Sequence, residues 1–389
     1  MVIQKMIKIK REIISIFLIV FALIILLAFK IGANTLNNEK KNQNESETFV
    51  NQCDSEGNDK STPHISTWYT RTSLDEYFIE PSISNHSILA LNPAVLNDPQ
   101  TARVIVYDLE TATEQELEIC SLDPIIIESD IYYFQYLNDG NVEYKLYRLN
   151  KGNGDKECIF VGDDNMAPLY RLYSTDHYLV WYEADKPPKI ERNDEGETVA
   201  IKCRLIVFDI ASDMVVFNAE TSVISPHQIP YLFNDQVALI ETIGGKSAIV
   251  IENIKTGKPS ISVDVNVVPL HVSFNDRYIC YSQMLGAYNT VYVYDANSSN
   301  VMLQIDDYPA GFCLVDNCLF IGVRNKVKVI DIQSQKVIFD SDSDNELFEG
   351  TQRYDYIGYF SQDNNRVVFR RRDRTDWHMD ICIATVTSE

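Results

Sequence analysis

The residues that most resemble reactive chemistry are few and scattered. Gly244-Gly245-Lys246-Ser247 has the tail of a phosphate-binding loop, but position 240, where the upstream glycine belongs, is Ile. The run also joins two apolar strand-like segments instead of opening a helix, so it reads as a hairpin turn. Asp340, Asp342 and Asp344 alternate with Ser341 and Ser343, as at the start of a calcium loop. A helix-loop-helix calcium site has Gly sixth and Glu twelfth; here those positions hold Asn345 and Thr351. A solvated acidic loop is the plainer reading, with calcium as its alternative, and no other metal or cofactor is expected. The six His, at 64, 86, 177, 227, 271 and 378, do not cluster, and neither G-x-S-x-G nor H-E-x-x-H occurs. No catalytic residue emerges.

One basic cluster stands out, Arg370-Arg371-Arg372-Asp373-Arg374, because the chain otherwise carries a formal charge of −22. Guanidinium forks suit carboxylates and phosphates, so the cluster reads either as an anion or partner contact or as a solvated hairpin tip balanced by nearby acids. So acidic a chain repels phosphate backbones, and nucleic acid is excluded as an expected partner.

The amino end has a different character. Ile13 to Phe29 is a 17-residue run, apolar except for Ser15. As a helix it is about 26 Å long, near the hydrocarbon thickness of a bilayer. A cleaved signal peptide is the alternative, but its apolar region is usually about 7–15 residues and ends at small residues. Lys5, Lys8, Lys10 and Arg11 precede the run and Lys30 alone follows closely. That asymmetry predicts a basic cytoplasmic segment (1–12), a single-pass transmembrane anchor (13–30) and everything later outside the cytoplasm. Residues 31–63 are Asn, Glu, Ser and Lys with little to bury, which predicts a disordered tether. No C-x-x-C or zinc spacing links the eight Cys, and most lie in apolar runs where buried free thiols are expected.

From residue 64 a unit recurs: a segment opened by Pro, an apolar run, an Asn/Asp turn, a second apolar run, a third ending in Asp or Asn, and a short fourth. The opening prolines are Pro81, Pro124, Pro168, Pro230, Pro269 and Pro309. Turns are expected at Asn85-His86, Ser129-Asp130, Thr175-Asp176, Asn234-Asp235, Asn275-Asp276, Asp316-Asn317 and Asp363-Asn364. Seven such sets predict an all-β fold, a β-propeller over 64–389 with seven four-stranded blades; six or eight blades remain open. The last set lacks a fourth strand, while a spare one, residues 64–70, precedes the first. The spare is expected to pair with residues 380–385 and close the ring, leaving no open edge. Residues 183–201, polar and Pro-bearing, read as a loop inserted between the second and third strands of the third unit. Cys313 and Cys318 flank the Asp316-Asn317 turn; the expectation is that they face opposite sides and form no disulfide.

Two stretches carry a resemblance. Ser273-Phe274-Asn275-Asp276-Arg277-Tyr278 with Val291 to Asp295, and Ser361-Gln362-Asp363-Asn364 with Asp380 to Ile383, are similar to the TolB-type (PD40-like) propeller repeat. That family has a Pro-Asp-Gly turn, lacking its Pro and Gly here, and usually six blades. The resemblance implies a propeller and no particular ligand.

In an antiparallel blade the inter-blade loops and the second-to-third-strand loops share one face. That rim gathers Asp163, Asp164, His227, Asp307, Tyr308, Arg353, Arg371, Arg372 and Arg374 as expected ligand or partner contacts. The function expected is a membrane-anchored extracytoplasmic binding or scaffold module for a protein or cell-envelope ligand. The rivals are a propeller enzyme (glycosidase, lyase or quinoprotein-like oxidoreductase) at the channel mouth, and an accessory sensor of envelope state.

Overall fold

The computed structural model describes residues 63–387 except 72–78, 93–102, 112, 118, 120, 122–123, 136–143, 193–197, 226–227, 244–245, 286–287, 307–308, 324–325, 341–353, 364 and 374–378. The expected anchor and tether therefore lie outside the described residues. No helix among the described residues is long and apolar enough to cross a membrane.

Seven antiparallel sheets are built from the described residues, each with its strands in sequence order except that Lys189–Arg192 adds a fifth strand to the third and the earliest strand forms the outer edge of the last. Blade 1 holds Ile79–Ser84, Ser87–Asn92, Arg103–Asp108 and Thr113–Leu117, and blades 2 to 6 repeat the pattern. Blade 7 has Tyr354–Asp363, Arg366–Asp373 and Met379–Thr387, and its outer strand is His64–Arg71. That strand pairs from His64 opposite Thr387 to Arg71 opposite Asp380, as expected for closure.

Both faces of a blade are covered, and the strands show it. In the second strand of blade 3, Tyr178, Val180, Tyr182 and Ala184 pack toward blade 4, while Leu179 and Trp181 pack toward blade 2. Successive side chains point to opposite faces of a strand, so a doubly covered strand must be apolar throughout. Among the described residues seven core clusters join adjacent blades, six of them two blades each and one, through Ala200, blades 3 to 5. The last sets Ile83 and Ile88 of blade 1 against Val368 and Ile383 of blade 7, completing the circle.

The Asp or Asn that ends the third strand of each of blades 1 to 6 has a structural purpose. Asp209 Oδ1 accepts the amides of Ala211 (2.8 Å) and Ser212 (3.1 Å). Asn150 and Asn253 do the same at their turns. Four residues after the capping residue the backbone turns left-handed, at Gly154, Asp213, Gly257, Ser299 and Gln335. An Asx cap followed by one left-handed residue makes a compact turn, so this polar signature recurs.

Several expected details shift. The second blade turns at Glu128-Ser129, with Ile127 opposite Asp130, one residue before the expected tip. In blades 3 and 5 the tips fall one residue later, at Asp176-His177 and Asp276-Arg277. There Thr175 and Asn275 precede the tip and cap it, Asn275 Oδ1 accepting the amides of Arg277 (2.9 Å) and Tyr278 (2.8 Å). In blade 7, Asp363 pairs with Arg366, so the tip is also one residue later. The outer strand of blade 1 runs from Thr113 to Leu117.

The described parts of the 183–201 segment, 183–192 and 198–201, are largely strand rather than loop. The second strand of blade 3 continues to Asp185, breaks at the cis Lys186–Pro187 bond, and resumes as Lys189–Arg192 against the long third strand Thr198–Asp209. Cys313 lies opposite Phe320 and Cys318 opposite Val315, and both thiols are free, as expected. The expected opposite faces are wrong: cross-strand partners and i, i+2 neighbours share a face, so both sulfurs enter the same core cluster.

Candidate functional site

The blade direction puts the inter-blade loops and second-to-third-strand loops on one face, the rim, and the tight hairpin turns on the other. The rim is bonded together where blade 2 meets blade 3. Lys186 N donates to Asn165 O (2.8 Å), and Asp163 Oδ1 accepts Asn165 N (2.8 Å). Asp163 and Asp164 are exposed there, and Lys186 Nζ donates to the Asp164 carbonyl (3.4 Å). Arg371 and Arg372 are not at a hairpin tip; they lie in the strand Arg366–Asp373. Asp380 stands opposite Arg371 and Asp355 opposite Arg372, so each has an acidic register partner. His227, Asp307, Tyr308, Arg353 and Arg374 lie outside the described residues, as do Asp342 and Asp344. Asp340 ends a strand with Lys328 Nζ at 4.0 Å. No cluster of three His, Cys, Asp or Glu among the described residues could hold a metal. Ile243 pairs with Lys246, and Gly244 and Gly245 between them lie outside the described residues.

The opposite face carries a cavity. About 470 Å³ in volume, it opens at the turn-face mouth of the central channel, where the innermost strands of the blades end. Five blades line it: Ser84 from blade 1, Ile126 and Ile127 from blade 2, Tyr173 to Tyr178 from blade 3, Leu232 to Asp235 with Lys255 from blade 4, and Gln362 from blade 7. Bonds across blades hold these walls. Ser84 Oγ accepts the amide of Glu128 (2.9 Å), and Tyr178 OH donates to Asp235 Oδ1 (3.0 Å). Lys255 Nζ donates to Asp235 Oδ2 (2.8 Å). The Lys255 bond, helped by Tyr178, holds the Asp235 carboxyl below its ordinary range. Burial, then the neighbouring Asp235, pushes the Tyr178 phenol upward.

Deeper in, the Tyr173 and Tyr231 rings lie 5.1 Å apart at 37°, and burial raises the Tyr173 phenol well above its usual range. Gln362 Oε1 is buried with no hydrogen-bond partner. Nearer the rim, His271 Nε2 contacts the Phe312 carbonyl of the next blade at 3.2 Å. Burial pulls that imidazole down to about 4, so it is neutral and Nε2–H is the donor at neutral pH. Sequence reading took the polar turn residues of this mouth only as turn formers and looked for the site on the rim. The recurring Asp and Asn at the turns of successive units were the available signal.

No known family profile matches the sequence, and no curated protein does. Solved structures do. The β-propeller domain of the trilobed protease from Pyrococcus furiosus aligns with TM-score 0.54 at 13% identity, covering 82% of this chain and 96% of that one. The chain is a seven-bladed β-propeller. The propeller of the trilobed protease is described as having an open velcro topology, whereas here His64–Arg71 closes the last blade. Pyrococcus horikoshii acylaminoacyl peptidase aligns with TM-score 0.55 at 13% identity over 76% of this chain. This propeller chain covers 49% of the peptidase, about half its length. The agreement is one of fold, as the repeat resemblance implied.

Proposed function

We propose that this propeller is a non-catalytic binding or scaffold module. It takes a protein or cell-envelope ligand at the turn-face mouth and is held at a membrane, outside the cytoplasm, by the apolar segment Ile13 to Phe29. One observation carries the reading: a cavity walled by five blades and stiffened by bonds between them. A concave site on a rigid scaffold is what ligand capture needs, because little ordering entropy is lost on binding. Chain direction adds to it. His64 lies opposite Thr387 at the turn face, so the chain joins the ring on the side of the cavity.

A propeller enzyme would need a proton acceptor or metal ligands converging on the mouth. Asp235 is poorly suited as a base, since Lys255 and Tyr178 already engage both its oxygens and lower its basicity. The test is a photo-crosslinking residue placed in the full chain at position 177, in the mouth, or at 164, on the rim, in membranes of the source cell. Discrete adducts at 177 and none at 164 are expected. Adducts confined to 164 would move the site to the rim, and none at either position would defeat the binding reading.

A further inference from the structure

We propose that the turn-face cavity binds an organic cation, an alkylammonium or guanidinium group inserted into the channel mouth. The inference rests on the binding-module reading and adds the chemistry of its ligand. The cavity, at about 470 Å³, is of small-ligand size. Gln362 supplies a buried amide oxygen in its wall with no donor to satisfy it. A buried acceptor left alone is costly, and an N–H from a ligand removes that cost once the half-buried Gln362 side chain turns its oxygen, closed to solvent here, into the cavity.

Charge selects the kind of donor. The hairpin turns around the mouth expose Glu128, Asp176, Asp276 and Asp316. Two basic residues of the same face are already engaged: Lys255 Nζ with Asp235 at 2.8 Å, and Arg277 with Asp295 at 3.0 Å. Carboxylates around a low-dielectric opening focus a negative potential into it, which draws cations and repels phosphate or uronate groups. Lys255 on Asp235 shows an ammonium accepted at this wall, and Tyr173 adds an aromatic ring, the group cations favour, to the lining. The carboxylates are spread around the ring instead of converging, an arrangement for an extended organic cation rather than a compact metal ion.

Such a group can come from a Lys or Arg side chain of a partner protein or from a free polyamine, and one experiment separates them. The full-length protein in neutral detergent is titrated calorimetrically with spermidine, with a capped tetrapeptide carrying one Arg, and with maltotriose and citrate. Salt-suppressed binding of a cation is expected, weakened about fivefold or more by Asp176→Asn and by Gln362→Leu with melting temperatures preserved. Binding of the peptide alone assigns the cation to a partner's side chain; binding of spermidine assigns it to a free polyamine. No cation binding, or affinities unchanged in both variants, overturns the proposal. Maltotriose or citrate bound in place of a cation also overturns it and leaves the binding-module reading intact. Cation binding without a cross-link at position 177 has the converse meaning.

Discussion

The hydroxyl of Tyr178 in blade 3 donates to the carboxylate of Asp235 in blade 4 at 3.0 Å, joining two blades at the lip of the cavity. Tyr178 is almost fully buried, while the Asp235 side chain that receives the bond is about a third exposed. Tyr178→Phe keeps the ring and removes the bond, and should lower unfolding free energy by about 1–2 kcal/mol in a denaturant titration. The depressed Asp235 carboxyl contributes stability at pH values above its unfolded value of 3.8 and loses it as pH falls through the lower folded value. The variant should therefore show a flatter acid limb than the parent.

Closure by the amino-terminal strand is the next point of weakness. Eight consecutive residues, His64 to Arg71, are in register with Met379–Thr387, and Ile65 packs on the blade 6–7 core. Replacing 64–71 by a Gly/Ser segment of equal length leaves the 379–387 strand as an unpaired edge. The expected result is a fall in melting temperature of several degrees or more with concentration-dependent aggregation, followed by light scattering. An unchanged melt would mean that the ring is held by blade packing alone.

Gly162, between blades 2 and 3, lies against the ring of the buried Tyr144, and an added Cβ would overlap the ring atoms Cε1, Cζ and Cδ1. Tyr144 cannot simply swing away, because its hydroxyl accepts Trp181 Nε1–H at 3.2 Å and its ring meets Phe134 edge-on at 5.6 Å. Gly162→Ala should cost about 1–3 kcal/mol by overpacking. In a double-mutant cycle with Tyr144→Leu the two penalties should be strongly non-additive. Additive penalties would place the strain elsewhere.

Much of this architecture was legible in the residues. Alternating apolar runs punctuated by Asp and Asn announce strands and hairpins, and seven sets with one spare strand announce a closed ring. The tips misplaced in blades 3 and 5 share a cause: Thr175 and Asn275 cap their turns from the position before the tip, so the residue that favours a turn is not always inside it. The Cys313–Cys318 faces were misjudged because a two-residue hairpin folds odd-separated residues onto one face. The cavity was the least legible feature. Its walls come from five blades, and residues such as Ser84 and Gln362 are brought together only by ring closure, with no spacing along the chain to reveal it.

His271 ties the innermost strand of blade 5 to that of blade 6 through its Nε2–H and the Phe312 carbonyl, with the two rings 4.6 Å apart. Burial lowers its folded pKa to about 4, from 6.5 when exposed. Between those values the unfolded chain takes up a proton that the folded chain refuses, so folding stability falls as pH drops from about 6.5 toward 4. The fully buried limit is about 1.4 kcal/mol per pH unit. His271 is half-buried, and allowing for the screening that brings, the total is on the order of 2 kcal/mol. His271→Gln keeps an N–H donor of similar reach and cannot titrate. Urea midpoints for parent and variant should lie close together near pH 7, because Gln keeps the donor, and the variant should be the more stable below about pH 4, where the parent has lost the whole of its decline. The variant should show no decline between pH 6.5 and 4 of the parent's size. Parallel profiles across that window would mean that the imidazole is already solvated in the folded ring, and that the tie to Phe312 is made by packing rather than by a neutral N–H donor.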